Sequence, residues 1–238
     1  AREVRLQVVK YLKTSLTPGT RLAIYALGDR LTPVVDFTDD AGLLTSRLDQ
    51  LLVALAPLIP FREDRIRFTL GALDAVSRHL EGVPGRKSVV WISGGFSMFT
   101  ARAIPGRDAR GMGPMVSLAG IETDVRRVSQ SLAQRGVTLY IVSAQGLRTG
   151  RGDVSGRLLG GAALRRASES SNALIGTMTT MAATTGGKYL FNTNDMSIGF
   201  KTASDDLKAG YSLGFYATDA DDRWHPLDVR VNRRGVTI

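Results

Sequence analysis

The residues best suited to chemistry are few and lie far apart in the chain. The 238 residues include no cysteine and only two histidines, His79 and His225. A zinc site needs clustered Cys and His ligands, and a serine hydrolase needs a Gly-x-Ser-x-Gly turn with a histidine and its acid. Neither arrangement is present, so we expect no catalytic residue, no bound metal and no other cofactor.

Gly94 and Gly95 are the best candidates for a phosphate site, because only Ser93 separates them from an apolar run at 88–92. Glycines at the carboxyl end of a strand let a backbone loop approach a phosphate closely. The Gly-x-Gly-x-x-Gly spacing is not completed, however, and no Gly-Lys-Ser/Thr motif occurs. We favour the interpretation that the two glycines form a tight turn out of the strand. The alternative is that they bind a phosphate in a nucleotide-binding or hydrolytic α/β enzyme.

Three aspartates that could bind Ca²⁺, and a later Asn and Asp, lie near the predicted starts of helices. Asp36, Asp39 and Asp40 precede one predicted helix, and Asn192 and Asp195 precede another. Carboxylates at such positions accept hydrogen bonds from the free N–H groups of the first helical turn. We therefore predict helix caps at both places.

Arginine dominates the basic residues, and the chain has a net charge of +9. Residues 101–170 contain eleven arginines, no lysine and five acids. Mobile arginines bind carboxylates and phosphates, but nucleic-acid binding usually interleaves aromatic residues, and Tyr140 is the only aromatic residue there. We therefore favour contact with a protein partner, and electrostatic binding of nucleic acid or an anionic surface is the alternative. The candidate contact residues are Arg102, Arg107, Arg110, Arg148, Arg151 and Arg157.

The elements that would position these residues alternate between strands and helices. Strands are predicted at 20–27, 31–37, 88–92, 137–142 and 188–191, and helices at 1–16, 43–56, 68–80, 121–134, 172–185 and 194–207. Alternating runs at 211–216 and 227–231 predict a C-terminal antiparallel hairpin. This order predicts an α/β fold with a mostly parallel central sheet. We expect one domain, 1–238, with long loops at about 97–117 and 146–170.

Four strings in the same order resemble the von Willebrand factor A family, in its bacterial VWFA-related, Acidobacteria-type branch. They are PGRKSVVWISGGF (84–96), RGVTLYIVSAQGL (135–147), MAATTGGKYLFNTND (181–195) and AGYSLGFYATD (209–219). The resemblance implies a three-layer α/β/α, Rossmann-like fold and a non-catalytic protein-binding module. Such modules serve as adhesion domains, scaffolds or accessory subunits. It also implies a location outside the cytoplasm, in the periplasm, in the medium or at the cell surface.

The family's metal site is degenerate in this chain. Its Asp-x-Ser-x-Ser motif is absent, Gly94 stands where a later loop supplies an Asp, and Arg67 stands near the position of a ligating Thr. A positive charge at that position would repel a cation. We therefore predict a metal-free docking face made of Arg67, Ser93, Gly94, Gly95 and Phe96.

The resemblance also predicts a missing element. The family's first strand is central and lies between the strands predicted at 20–27 and 88–92, and the residues before 20 contain a predicted helix but no such strand. We expect residues upstream of Ala1, or a second polypeptide that donates a strand, to supply it. Direct pairing of the two flanking strands would contradict this order. No apolar run is long enough to span a bilayer, so we expect no membrane span within the chain.

Overall fold

The computed structural model describes residues 2–14, 19–51, 62–96, 118–145 and 161–209, together with residues 228, 230 and 231. The predicted loop at 97–117 and the predicted strand at 211–216 lie outside these ranges. So does the predicted strand at 227–231, apart from its three described residues.

Helices and strands alternate along the described residues. The helices are α1 (Arg2–Thr14), α2 (Ala41–Leu51), α3 (Arg62–His79), α4 (Leu118–Gln134), α5 (Gly161–Thr184) and α6 (Ser197–Ala209). The strands are β1 (Leu22–Leu27), β2 (Leu31–Thr38), β3 (Lys87–Ser93), β4 (Val137–Ser143) and β5 (Tyr189–Leu190). This alternation confirms the predicted α/β class.

Three of the strands form a small parallel sheet in the order β3-β4-β5. β3 and β4 run in register along their whole length, from the pair Lys87 and Val137 to the pair Ser93 and Ser143. β4 is buried at six of its seven residues, as expected for a continuous apolar strand between two neighbours. The strands β1 and β2 form a separate antiparallel pair, with Pro33 opposite Tyr25.

Helices pack against both faces of β3 and β4. On one face, α3, α4 and α5 form the main hydrophobic core with Val89 and Trp91. On the other face, α6 approaches so closely that a Cβ atom added to Gly199 would collide with Val142 and lie 3.2 Å from Val90. Val89 and Val90 point to opposite faces because successive side chains alternate along a strand. β3 and β4 therefore lie between α6 on one side and the core formed by α3, α4 and α5 on the other.

A second hydrophobic cluster joins α1 and α2 to the hairpin of β1 and β2. Leu12 of α1 and Leu44 of α2 are buried in it with Val35 of β2. The ring of Tyr11 stacks on Phe200 of α6, with 4.7 Å between the ring centroids. This contact places α1 beside α6, so the helices that cover the hairpin adjoin the helix that covers β3 and β4.

Two predicted helix starts are wrong by six residues or more. Helix α5 begins at Gly161, so the part of the predicted 146–170 loop from 161 onward is helical. The glycines and arginines of this region suggested a loop, but 162–170 (AALRRASES) consists largely of residues with good helix propensity. Helix α3 begins at Arg62 instead of 68, because its first turn is polar and gives no apolar periodicity. The rest of the second loop, 146–160, lies outside the described residues.

The predicted helix caps are confirmed for two aspartates. The carboxylate of Asp40 accepts hydrogen bonds from the backbone N–H groups of Gly42 and Leu43, at 2.8 and 3.0 Å. The carboxylate of Asp195 accepts one from the N–H of Ser197 at 3.0 Å. These hydrogen bonds fix the first turns of α2 and α6 and satisfy backbone donors that would otherwise have no partner.

Candidate functional site

The predicted docking face lies where β3 and β4 end together. Ser93 and Ser143 are the last residues of these strands and are paired in the sheet register. Each serine Oγ accepts a hydrogen bond from a backbone N–H two residues later, that of Gly95 at 3.1 Å and that of Gln145 at 3.3 Å. Both strands therefore leave the sheet through the same kind of turn.

A side-chain hydrogen bond joins these two turns. Gln145 Nε2 donates to the carbonyl oxygen of Gly94 at 2.6 Å, across 51 residues of sequence. Sequence reasoning missed Gln145, although Ser-Gly-Gly and Ser-Ala-Gln follow two strands of the same sheet and could have signalled a paired turn. The hydrogen bond joins the turn after β3 to the turn after β4 at the exposed residues Gly94 and Gln145.

The turn after β3 is held from inside the molecule. Gly95 has a φ of 73°, a conformation that other residues rarely adopt, and a Cβ there would lie 3.3 Å from Leu174 of α5. Phe96 is buried, only 7% exposed, and its ring lies 6.0 Å from that of Trp91. Phe96 thus belongs to the core beneath the turn, whereas Gly94 is exposed at its surface.

Arg67 lies on the exposed side of α3, next to the buried Ile66. Ile66 belongs to the same core cluster as Phe96. Helix α3 leads into β3 through residues 80–86, so the first half of α3 lies at the end of the fold where β3 ends. Arg67 and Gly94 therefore belong to the same end of the molecule. The six predicted contact arginines at 102–110 and 148–157 lie outside the described residues.

A buried hydroxyl fixes α6 against the sheet. Tyr140 of β4 is 2% exposed, and its OH donates a hydrogen bond to Asp206 of α6 at 2.8 Å. Lys188 Nζ lies 3.5 Å from the same carboxylate. Burial, together with the neighbouring Asp206, raises the pKa of Tyr140 above its ordinary value of 10.0. This hydrogen bond is one of the contacts that hold α6 against β4.

Residues 93–96 and 143–145, at the ends of β3 and β4, include no ionisable side chain. Within the ranges that the structure describes, no three His, Asp or Glu side chains come together in a way that could hold a metal ion. None of the described helices is both long enough and apolar enough to cross a membrane. The exposed groups here are the peptide of Gly94 and the side-chain amide of Gln145, and Arg67 is exposed on α3.

Two solved structures share this architecture. One is an aerotolerance-related membrane protein from Bacteroides fragilis NCTC 9343 with multiple mutations to serines, with a TM-score of 0.50, 12% identity and 87% of each chain covered. The other is the conserved hypothetical protein BatB from Bacteroides thetaiotaomicron, with a TM-score of 0.50, 11% identity, and coverage of 87% of this chain and 86% of that one. No family model and no curated protein matches the sequence. At these identities the similarity shows a common α/β fold.

Proposed function

We propose that this chain is a von Willebrand factor A-like module with a three-layer α/β/α body, and that it is a non-catalytic subunit of a larger assembly. Its task is to bind another protein. The order of the four family-like strings supports the proposal, and so does the similarity in fold to an aerotolerance-related membrane protein and to BatB. In keeping with the family resemblance, we propose a location outside the cytoplasm.

The main support is the hydrogen-bonded surface at the carboxyl ends of β3 and β4. Its peptides are held in one geometry by Ser93, Ser143 and Gln145 before any partner arrives. A surface that is already ordered loses little conformational entropy on binding, which favours protein association. General acid–base or nucleophilic catalysis needs an ionisable or activated side chain, and this surface has none at 93–96 or 143–145.

The chemistry of the surface indicates how the partner is held. The exposed peptide at Gly94 offers backbone hydrogen bonds at the centre, and Arg67 on α3 offers a positive charge at the same end of the fold. We propose that the partner contributes a polar loop to the centre and an acidic residue to Arg67, without a bridging cation. The arginines at 102–110 and 148–157 would enlarge the contact and accelerate association through their charge.

Two exposed glycines at opposite ends of β3 provide a matched test. A Cβ atom added to Gly94 or to Gly82 meets no atom within 4 Å, so either position should accept a large side chain. Gly94→Trp should lower recovery of the native partner in co-purification at least about tenfold, whereas Gly82→Trp should leave recovery unchanged. Equal recovery with both variants, each shown to be folded by circular dichroism, would contradict docking at this face.

A further inference from the structure

The third parallel strand ends beside the docking face. β5 runs parallel to β4, and Val142 is paired with Leu190. The residues that follow, Ser143 and Phe191, therefore lie side by side, and Ser143 is itself paired with Ser93. Since neighbouring strands lie about 4.8 Å apart, Phe191 lies about 10 Å from Ser93 along this edge of the sheet. A protein interface covers about 800 Å² of each partner, so one partner can cover the ends of all three strands.

Phe191 is exposed although its side chain is large and apolar. Among the Phe, Tyr and Trp side chains that the structure describes, it is the only exposed one, at 45%. Ile198, in the first turn of α6, is 38% exposed at the same end of the fold. Single exposed apolar side chains are common on protein surfaces. These two, however, lie beside turns at 93–96 and 143–145 that carry no ionisable side chain.

The ring of Phe191 is held in place by its neighbours. It stacks on Tyr189, with 5.2 Å between the ring centroids and 25° between the ring planes, and Tyr189 packs against the main hydrophobic core. The backbone turns directly after Phe191, because Asn192 has a φ of 57°, a left-handed conformation that asparagine tolerates. The N–H of Asp195 then donates a hydrogen bond to Thr193 Oγ1 at 3.0 Å. An aromatic side chain that is already ordered loses little conformational entropy on binding, which is typical of interface hot spots.

The helix beside β5 is uncharged over most of its length. Helix α5 contacts β5, and residues 170–184 of α5 include no ionisable side chain. A Cβ atom on Gly95 would lie 3.3 Å from Leu174, so this part of α5 reaches the end of the fold where β3 ends. Burial of an unpaired charge is costly. An apolar partner surface can therefore cover Phe191 and the adjoining part of α5 without burying a charge of that helix.

We propose that Phe191 is the apolar anchor of the docking face and that it inserts into an apolar pocket on a different protein. This inference rests on the proposed function and names the chemistry of the partner. Two copies of a chain with a net charge of +9 repel one another, which disfavours a second copy as the occupant. The partner presents an apolar pocket to Phe191, polar groups to the peptide of Gly94 and an acidic group to Arg67.

The free chain provides the first test, by fluorine NMR with para-fluorophenylalanine in place of a single phenylalanine. At position 191 the resonance should shift between ordinary and heavy water, because the ring of Phe191 is in contact with solvent. At Phe96, which is 7% exposed, the same analogue should show almost no shift. An equally small shift at position 191 would mean that another segment of the chain covers the ring, and would overturn the proposal.

The partner provides the second test. The protein that co-purifies with the wild-type chain is identified by mass spectrometry, purified and titrated against each variant. Phe191→Ala should raise Kd at least about tenfold, whereas Phe191→Leu, which keeps an apolar side chain, should raise it less than about threefold. Leu207→Ala is the control, since Leu207 is 36% exposed near the other end of α6, and it should leave Kd unchanged. If circular dichroism shows Phe191→Ala to be unfolded, Phe191→Lys replaces it with the same expected loss, because the alkyl chain of lysine can still cover Tyr189.

Comparison with Gly94→Trp separates the anchor from docking itself. If Gly94→Trp weakens binding and Phe191→Ala does not, the partner docks at this face without the anchor, and the present proposal is overturned while the proposed function stands. If neither variant weakens binding, docking at this face is itself wrong. Self-association of the wild-type chain that Phe191→Ala abolishes, measured by sedimentation velocity, would identify a second copy as the occupant and would also overturn the proposal.

Discussion

Gln145 and Gly94 come from turns after different strands, yet one hydrogen bond of 2.6 Å joins them. Gln145→Ala removes this bond and should lower the free energy of unfolding by about 0.5–1.5 kcal/mol, the usual net value of a hydrogen bond. Urea denaturation measures the change. Gln130, exposed on α4, is the matched control, and Gln130→Ala should change stability by less than about 0.5 kcal/mol. Equal effects of the two substitutions would show that the two turns are not coupled.

Tyr140 makes stability depend on pH in the alkaline range. The pKa of Tyr140 is higher in the folded protein than in the unfolded chain, where it is about 10. The contribution of Tyr140 to the free energy of unfolding is therefore complete below about pH 10 and is lost as the pH rises further. Tyr140→Phe should cost about 1 kcal/mol at pH 7 through the lost hydrogen bond to Asp206. Above pH 10 the difference between wild type and variant should shrink. A constant difference across pH 7–11 in denaturation experiments would contradict this role.

The sequence predicts those parts of the candidate site that are defined by residues adjacent in the chain. Ser93, Gly94 and Gly95 were predicted as one end of a strand, because a short polar turn after an apolar run has a local signature. The role of Gln145 depends on the position of Gly94, 51 residues away, and the burial of Phe96 depends on Trp91 across the turn. No local pattern reports either contact.

Helix α2 depends on a cap that the sequence predicts. Asp40→Ala removes the acceptor for the N–H groups of Gly42 and Leu43 and should lower stability by about 1 kcal/mol. Its exposed neighbour Asp39 provides the control, and Asp39→Ala should have an effect below about 0.5 kcal/mol. Thermal or urea denaturation distinguishes the two. If Asp39→Ala costs as much as Asp40→Ala, local charge and not the cap is responsible.

Helix α6 depends on a close approach that the sequence does not reveal. A Cβ at Gly199 would collide with Val142, so Gly199→Ala should cost about 1–3 kcal/mol through overpacking. Gly176 in α5 has open space around it, and Gly176→Ala should instead stabilise by about 0.4–1 kcal/mol. A stabilising effect of Gly199→Ala in denaturation experiments would mean that α6 does not pack closely on β4.

Helices α2, α5 and α6 show which features of a helix can be predicted from the local sequence. An aspartate just before an apolar helical run identifies the start of α2 and of α6. The start of α5 was missed because glycine and arginine content outweighed the helix propensity of residues 162–170. In the sequence, Gly199 is indistinguishable from any other glycine in a helix. Only the packing of α6 on β3 and β4 explains why a side chain cannot be placed there.

The α/β class of the whole chain was predictable because strand and helix patterns alternate along it. Separation of β1 from β3 was expected from the family resemblance, and among the described residues these strands are indeed not paired with each other. The number of domains, the arginine-rich segments and the partner stay predictions. Whether the arginine-rich segments bind a partner depends on another molecule, and no periodicity in a single sequence encodes that contact.

Site-specific photo-crosslinking is the most direct test of protein binding at the carboxyl ends of β3 and β4. A photoreactive phenylalanine analogue is placed at Gly94 or, as the control, at Gly82, since both glycines are exposed and have room for a side chain. In cells that produce the native assembly, position 94 should yield one discrete protein adduct identifiable by mass spectrometry, and position 82 should not. The same adduct from both positions, or none from position 94 while position 82 gives one, would contradict the account.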